Sequence, residues 1–269
     1  YRMVLGPSMT YSCAVWKSRD TTLEAAQTEK YDLVCRKLAL RPGMRMLDVG
    51  CGWGGMVQHA ARHYGVKAVG VTLSAAQAEA ATRTTESEGL ADLVEIRIQD
   101  YRDVDGSYDA ISSIGMFEHV GLARLGEYFR NLHRLLVPGG RVLNHGISSP
   151  PGRRSRFRRR GFIDRYVFPD GELHEIGSVV SRMQAAGFEV RHVESLREHY
   201  ALTLREWVTN LEHHWDDAVA AAGLARARIW RLYMAGSAVN FEAGNIQIHQ
   251  TLGVRADGGR SGMPLRPDW

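Results

Sequence analysis

Cysteine is scarce in this chain of 269 residues: there are three, Cys13, Cys35 and Cys51, and no two have CxxC spacing. That excludes a disulfide scaffold, and a reducing cytoplasm is the simplest compartment. Long apolar runs are absent too. None approaches the ~18 to 20 residues that a membrane-spanning helix needs, and the first residues lack the pattern of a signal peptide, so the expectation is a soluble protein that at most touches a membrane surface. A strong charge of either sign is missing, since 34 Lys and Arg stand against 30 Asp and Glu for a formal +4. With 44% hydrophobic and 24% charged residues, disorder is not the default, and the length suits one large domain or two small ones. The chain also starts at Tyr1 rather than at a Met, and an N-terminal segment or domain preceding it is expected.

What is abundant is glycine, with 28 residues, against a usual ~7%. Several turns are therefore expected in which the backbone passes close to something else. The segment Thr21–Leu40 has Leu23, Ala26, Val34 and Leu38 at helical spacing, and Thr21 with Glu24 has the form of a capping box. A short strand, Met44–Val49, runs into Gly50-Cys51-Gly52-Trp53-Gly54-Gly55 and then a helix ending near Tyr64, which is the opening of a nucleotide-binding βαβ unit. Alternation continues with strands at Val66–Thr72, Val94–Gln99, Tyr108–Ile114 and Gly140–Ile147, and helices at Ala75–Glu88 and Leu122–Leu136. This order predicts an α/β fold with a doubly wound, mostly parallel sheet. After Pro150-Pro151-Gly152 come a helix–strand pair, Glu172–Ala186 and Phe188–Ser195, and two long helices, about Leu204–Ala222 and Ala225–Ala243, before a last strand, Asn245–Val254. The two helices, about 200–243, read as a cap on one catalytic domain, 1–269. The Gly- and Pro-containing tail from Ala256 to Trp269 reads as a surface extension.

The glycine loop departs from the dinucleotide pattern G-x-G-x-x-G, because Gly54 follows Gly52 after one residue. An acidic residue, Asp48, just before a loop whose backbone can pass beneath a ligand suits an adenosyl amino acid, and S-adenosylmethionine is the natural reading; a tight β–α turn with no ligand is the alternative. Thr72, Leu73 and Gln77 at the second strand's end, and Gln99, Asp100 and Tyr101 at the third, lie where such a ligand would extend. Here Thr72 and Gln77 stand where many ribose sites have an acid. For Asp100 and Tyr101, a helix cap and a packed aromatic are equally good readings.

Five ordered blocks then carry a resemblance. Tyr11-Ser12-Cys13, Leu47 to Gly55, Gly70 to Ser74 with Gln77, Gln99 to Asp103, and Gly115-Met116-Phe117-Glu118-His119-Val120-Gly121 together resemble the cyclopropane-fatty-acid synthase family of methyltransferases. Tyr166 to Gly171 and Asn245-Ile246-Gln247-Ile248-His249-Gln250 are similar to the family's Y-x-F-P-x-G and D/N-I-Q-x-x-Q segments. The resemblance implies a Rossmann-like class I S-adenosylmethionine methyltransferase fold. It implies a cofactor site of Tyr11, Ser12, Asp48, Gly50, Gly52, Thr72, Leu73, Gln77, Gln99, Asp100 and Tyr101. It also implies a catalytic cradle of Cys13, Glu118, His145, Ile147 and Tyr200 around a bicarbonate ion. The spacing of Cys, Glu and His in these segments fits no recognised zinc motif, so no metal is expected. The Asn144–Ile147 strand and the Asn240–Gly244 segment differ from the commoner version, which leaves the acyl pocket and the product open.

Attack of an isolated alkene on a methyl electrophile needs alignment, and the resulting carbocation needs an apolar wall and aromatic faces. Phe117, Tyr200, Tyr233 and Phe241 are candidates, with plain core packing as the alternative for each. A bound bicarbonate would take the proton and leave as a neutral acid, giving a cyclopropane; a hydride shift first would give a methylene branch that a separate reductase would saturate. His213 and His214 read as a solvated helix face.

One stretch is far from neutral. Residues 153–165 hold seven arginines against Asp164, a local +6 that leaves −2 for the remainder of a +4 chain, with Phe157 and Phe162 interleaved. This is the composition expected of a segment that adsorbs to anionic lipid, with a disordered charged loop as an equally good reading of composition alone. The expected partner is therefore phospholipid at the inner face of the membrane, with association between copies left open. RNA methylation, another small-molecule methyl transfer, and a binding module that uses the cofactor only structurally are the rival readings. The absence of a base-methylating N-P-P-Y motif, together with the family blocks, argues against nucleic acid.

Overall fold

The computed structural model describes residues 1–152, 161–168 and 172–269. Along the chain it forms α1 (Arg2–Leu5), α2 (Leu23–Leu38), β1 (Arg45–Val49), α3 (Gly55–Tyr64), β2 (Lys67–Thr72), α4 (Ala75–Ser87), β3 (Val94–Ile98), β4 (Tyr108–Ile114), α5 (Leu125–Leu135) and β5 (Leu136–Ser149). There follow α6 (Phe162–Tyr166), β6 (His174–Glu175), α7 (Ile176–Ala185), β7 (Glu189–Ser195), α8 (Arg197–His213), α9 (Trp215–Ala222), α10 (Leu224–Glu242) and β8 (Gln247–Val254). Single 3₁₀ turns lie at Tyr101–Asp103 and Phe117–His119.

The sheet order is β3-β2-β1-β4-β5-β8-β7, with β6 pairing beside β5. All of these pairs are parallel except those made by β8, which runs antiparallel to both β5 and β7. Alternation along each strand divides the core between two faces. Met46, Ala68, Ala110 and Leu143 pack with Val34, Leu38, Met56 and Val57 of α2 and α3. Leu47, Val69, Ile111 and Val142 pack on the opposite face with Tyr128, Phe129, Leu132 and Met183 of α5 and α7. A third cluster joins Leu5, Cys13 and Ala14 to Tyr200, Leu204, Trp207, Met234 and Phe241. The chain order reverses at β1, whose neighbours β2 and β4 take it in opposite directions, so a crevice opens at the carboxyl ends of β1 and β4.

Several boundaries differ from the sequence reading. The capping residue of α2 is Thr22, whose hydroxyl accepts from the Ala25 amide, while Thr21 bonds to Ser18. The cap comprises three helices. It starts at Arg197 because Tyr200, Ala201, Leu204, Trp207 and Leu211 form one buried stripe, and it breaks at His214 and at Gly223. Tyr200 therefore sits in the first turn of α8, not before the helix. The tail is not a simple extension: Gly262 accepts from the Arg141 guanidinium at 3.1 Å, and the Trp269 ring lies edge-on to His192 at 5.3 Å. His213 and His214 are exposed as expected. No helix among the described residues is long and apolar enough to cross a membrane. Most of the arginine run, 153–160, and the Pro169-Asp170-Gly171 end of the Y-x-F-P-x-G block lie outside the described residues.

Candidate active site

A cavity of about 880 Å³ opens at the carboxyl ends of β1 and β4 and extends beneath the cap. Its floor is the glycine loop. Gly50 and Gly52 have φ of +80° and +55°, a region that a side chain disfavours, and the space above Gly52 is open, since a Cβ there would meet nothing within 4 Å. Asp48 at the end of β1 is buried and accepts from the Ser112 hydroxyl at 2.5 Å; burial pushes its carboxyl up to about 6, with the Ser112 hydrogen bond and then the Lys30 charge opposing the shift. Lys30 of α2 is also buried. Its ammonium donates to Ser12 Oγ at 3.1 Å and lies 3.8 Å from the Tyr31 ring centre, and desolvation lowers its pKa to about 7 against the pull of Asp48. Gln27 holds the same N-terminal segment by donating to the Ser12 carbonyl at 3.0 Å. This end thus offers open backbone, a carboxylate, a hydroxyl and an ammonium, a set that fits the amino and carboxylate groups of an amino-acid ligand.

The other end is drier. Glu118 leaves the Phe117–His119 turn and its Oε1 accepts from the Ile147 amide at 2.7 Å, while Oε2 is buried with no hydrogen-bond partner. Burial pushes this carboxyl up to about 7, and the Ile147 amide only partly opposes that. His145 of β5 is 1% exposed, and its Nε2 likewise has no partner. Desolvation, followed by the nearby Lys30 and Lys37 charges, lowers its pKa well below the ordinary range, so the ring is neutral. Two buried polar atoms without a partner, on two residues that line one cavity, are costly unless something else satisfies them. Tyr200 and Cys13 complete this end. Burial raises both pKa values, and the Cys13 thiol donates to the Ala14 carbonyl at 3.2 Å. Tyr233 and Phe241 add aromatic faces; the Tyr11 hydroxyl donates to that of Tyr233 at 3.2 Å, tying the N-terminal segment to α10.

Of the residues singled out in the sequence, Tyr11, Ser12, Cys13, Asp48, Gly50, Gly52, Gln77, Glu118, His145, Ile147 and Tyr200 line this one cavity. Thr72 reaches it only through Gln77, donating to Oε1 at 2.8 Å. Leu73, Gln99, Asp100 and Tyr101 stand apart from the lining, along the ends of β2 and β3. Leu73 is 73% exposed, Gln99 donates to the Asp103 carbonyl, Asp100 caps the 3₁₀ turn and pairs with Arg102, and Tyr101 packs edge-on to Tyr128. For Asp100 and Tyr101 this is the cap and packed aromatic weighed as the other reading. Ile147 contributes through an amide already committed to Glu118. Phe117 packs in the core under Gly146 rather than facing the cavity. Lys30, Tyr31, Trp53 and Met116 also line the cavity and were not singled out. Lys30 could have been found, because it falls on the apolar stripe of α2 where a solvated lysine has no place.

The family model for mycolic acid cyclopropane synthetase matches residues 1–251. The Mycobacterium tuberculosis protein named "Probable fatty acid methyltransferase Rv3720" is 52% identical over 100% of this chain and 63% of its own length. The cyclopropane-fatty-acyl-phospholipid synthase of Escherichia coli K12 is 36% identical over 94% of this chain and 64% of its own length, so the chain spans about two thirds of these relatives. The crystal structure of mycolic acid cyclopropane synthase CmaA1 complexed with SAH and CTAB superposes with a TM-score of 0.88 at 35% identity, covering 94% of this chain and 92% of that one. The doubly wound sheet is thus the class I methyltransferase sheet, and the chain belongs to the mycolic acid cyclopropane synthetase family.

Proposed function

We propose that the chain transfers a methyl group from S-adenosylmethionine to the double bond of an unsaturated fatty acyl chain of a phospholipid. The carrying observation is the pairing, in one cavity, of an open glycine loop beside Asp48 and Lys30 with the unpartnered Glu118 Oε2 and His145 Nε2. The names of the relatives support the substrate class, since one is named a probable fatty acid methyltransferase and another a cyclopropane-fatty-acyl-phospholipid synthase. Bound S-adenosylmethionine would supply a methyl electrophile, held by Gly50, Gly52, Ser12, Lys30, Tyr11 and Gln77. Thr72, Leu73, Gln99, Asp100 and Tyr101 would continue that site along the strand ends.

The apolar and aromatic wall of Ile147, Tyr200, Tyr233, Phe241 and Ile248 orients an acyl chain and excludes water from an electron-poor alkyl centre. Glu118 and His145, with Tyr200 and Cys13, fit a small oxyanion. A bicarbonate there would supply a base beside the transferred methyl. Glu118, with its pKa near 7, holds a proton it can share with such an anion. Loss of a proton closes a cyclopropane, whereas a prior hydride shift gives a mid-chain methylene branch for a separate reductase. The arginine-rich segment 153–165 would hold the protein on the inner face of the membrane.

Labelled cofactor incubated with oleoyl phospholipid vesicles tests this. We expect a fatty acid methyl ester heavier by one methylene, with NMR separating ring from branch. With RNA added to the same mixture, labelled RNA beside unlabelled lipid would sink the proposal.

A further inference from the structure

Gln250 closes the N-I-Q-I-H-Q block, to which the sequence reading attached no role. In the sheet it is the register partner of His145 across the antiparallel β5–β8 pair. Both are about 1% exposed, and Lys37, in the last turn of α2, is fully buried behind them. The Lys37 ammonium donates to Gln250 Oε1 at 2.7 Å and, on its outer side, to the Glu194 carboxylate at the surface. Arg141 fixes the end of α2 by donating to the Lys37 carbonyl at 3.0 Å.

An ammonium has only protons to offer, so the Gln250 atom facing it is the oxygen, and this settles which way the amide points. Its nitrogen is then left 3.4 Å from His145 Nδ1. An amide NH₂ donates and does not accept, so Nδ1 is the unprotonated ring nitrogen. A neutral ring with Nδ1 bare carries its one proton on Nε2, the ring nitrogen that has no partner.

We propose that Lys37 and Gln250 are positioning residues that lock His145 in its Nε2–H tautomer, so that the cavity presents a fixed N–H donor to an oxyanion at this point. Glu194 keeps the ammonium in place from outside. His145 on this account is neither base nor acid; it directs a hydrogen bond. The catalytic consequence rests on the methyl-transfer reading above, but the tautomer does not.

The test uses the chain with imidazole-¹⁵N histidine. Long-range ¹H–¹⁵N correlation spectra report which nitrogen carries the proton, and His145→Gln identifies the signals. We expect protonated Nε2 and bare Nδ1 in the unmodified chain. Gln250→Glu offers a carboxylate to both Lys37 and the ring, and should move the proton to Nδ1. Lys37→Met releases the amide and should give both tautomers. S-adenosylhomocysteine titration checks that each variant is folded. With oleoyl phospholipid, kcat of Gln250→Glu should fall roughly a hundredfold, as for loss of one oxyanion donor, with the cofactor KM unchanged. A proton on Nδ1 in the unmodified chain overturns the proposal, as does a folded Gln250→Glu variant with unshifted signals. The expected tautomers without any methyl transfer would overturn the function reading and leave the lock standing.

Discussion

Glu118 carries opposite demands of stability and chemistry. Its folded pKa, about 7, is above its ordinary 4.5 because of burial, so the folded chain binds this proton more tightly than the unfolded one. Its contribution to stability is therefore full below about pH 4.5 and is lost as pH rises through 7, a loss on the order of 3 kcal/mol. Glu118→Gln keeps an oxygen for the Ile147 amide and removes the titration. Urea denaturation should show the variant more stable than the parent at alkaline pH, and the two similar under mild acid. The same variant should retain cofactor binding and lose most turnover; unchanged turnover would remove Glu118 from the cradle. Individual residues of this kind were unevenly legible. Glu118, His145 and Tyr200 stand in recognisable blocks. Lys30 and Lys37 have no motif, and only their phase in α2, seven residues apart on the buried stripe with Leu23, Ala26, Leu33 and Val34, marks them.

Among elements, β5 does the most to build the site, carrying His145 and Ile147 and packing over Phe117 at Gly146. A Cβ at Gly146 would lie 1.7 Å from the Phe117 ring, which is far inside contact distance and cannot be absorbed by a small rotation. Gly146→Ala should destabilise the chain by about 3 kcal/mol, read by urea denaturation, and should displace the turn that carries Glu118. A stability within experimental error of the parent would refute this packing account. The succession of strands and helices was readable from periodicity, including β1 to β5 and the late strand β8. What periodicity could not give was the start of α8, because Tyr200 and Ala201 form its first buried turn without an N-terminal capping side chain. Nor could it foresee that the tail would pack back, since a carbonyl partner for Arg141 and a ring partner for His192 are tertiary facts.

The whole molecule has a formal +4, which conceals a basic segment beside a mildly acidic remainder. Neutralising Arg158, Arg159 and Arg160 should weaken binding to anionic vesicles far more than to neutral ones, by about 1 kcal/mol for each charge, and added salt should narrow the difference. Equal loss on both vesicle types, measured by sedimentation, would refute the electrostatic account.

The placement of β8 has a consequence for synthesis. It is the last strand among the described residues, yet it lies between β5 and β7, which precede it. Until it threads into that gap, those two strands have no common neighbour, Lys37 lacks its amide partner, and the ring of His145 is free to exchange its proton between nitrogens. A growing chain can thus complete its glycine loop long before its histidine is set. Setting of that ring is deferred until β8 has been made and has paired with β5.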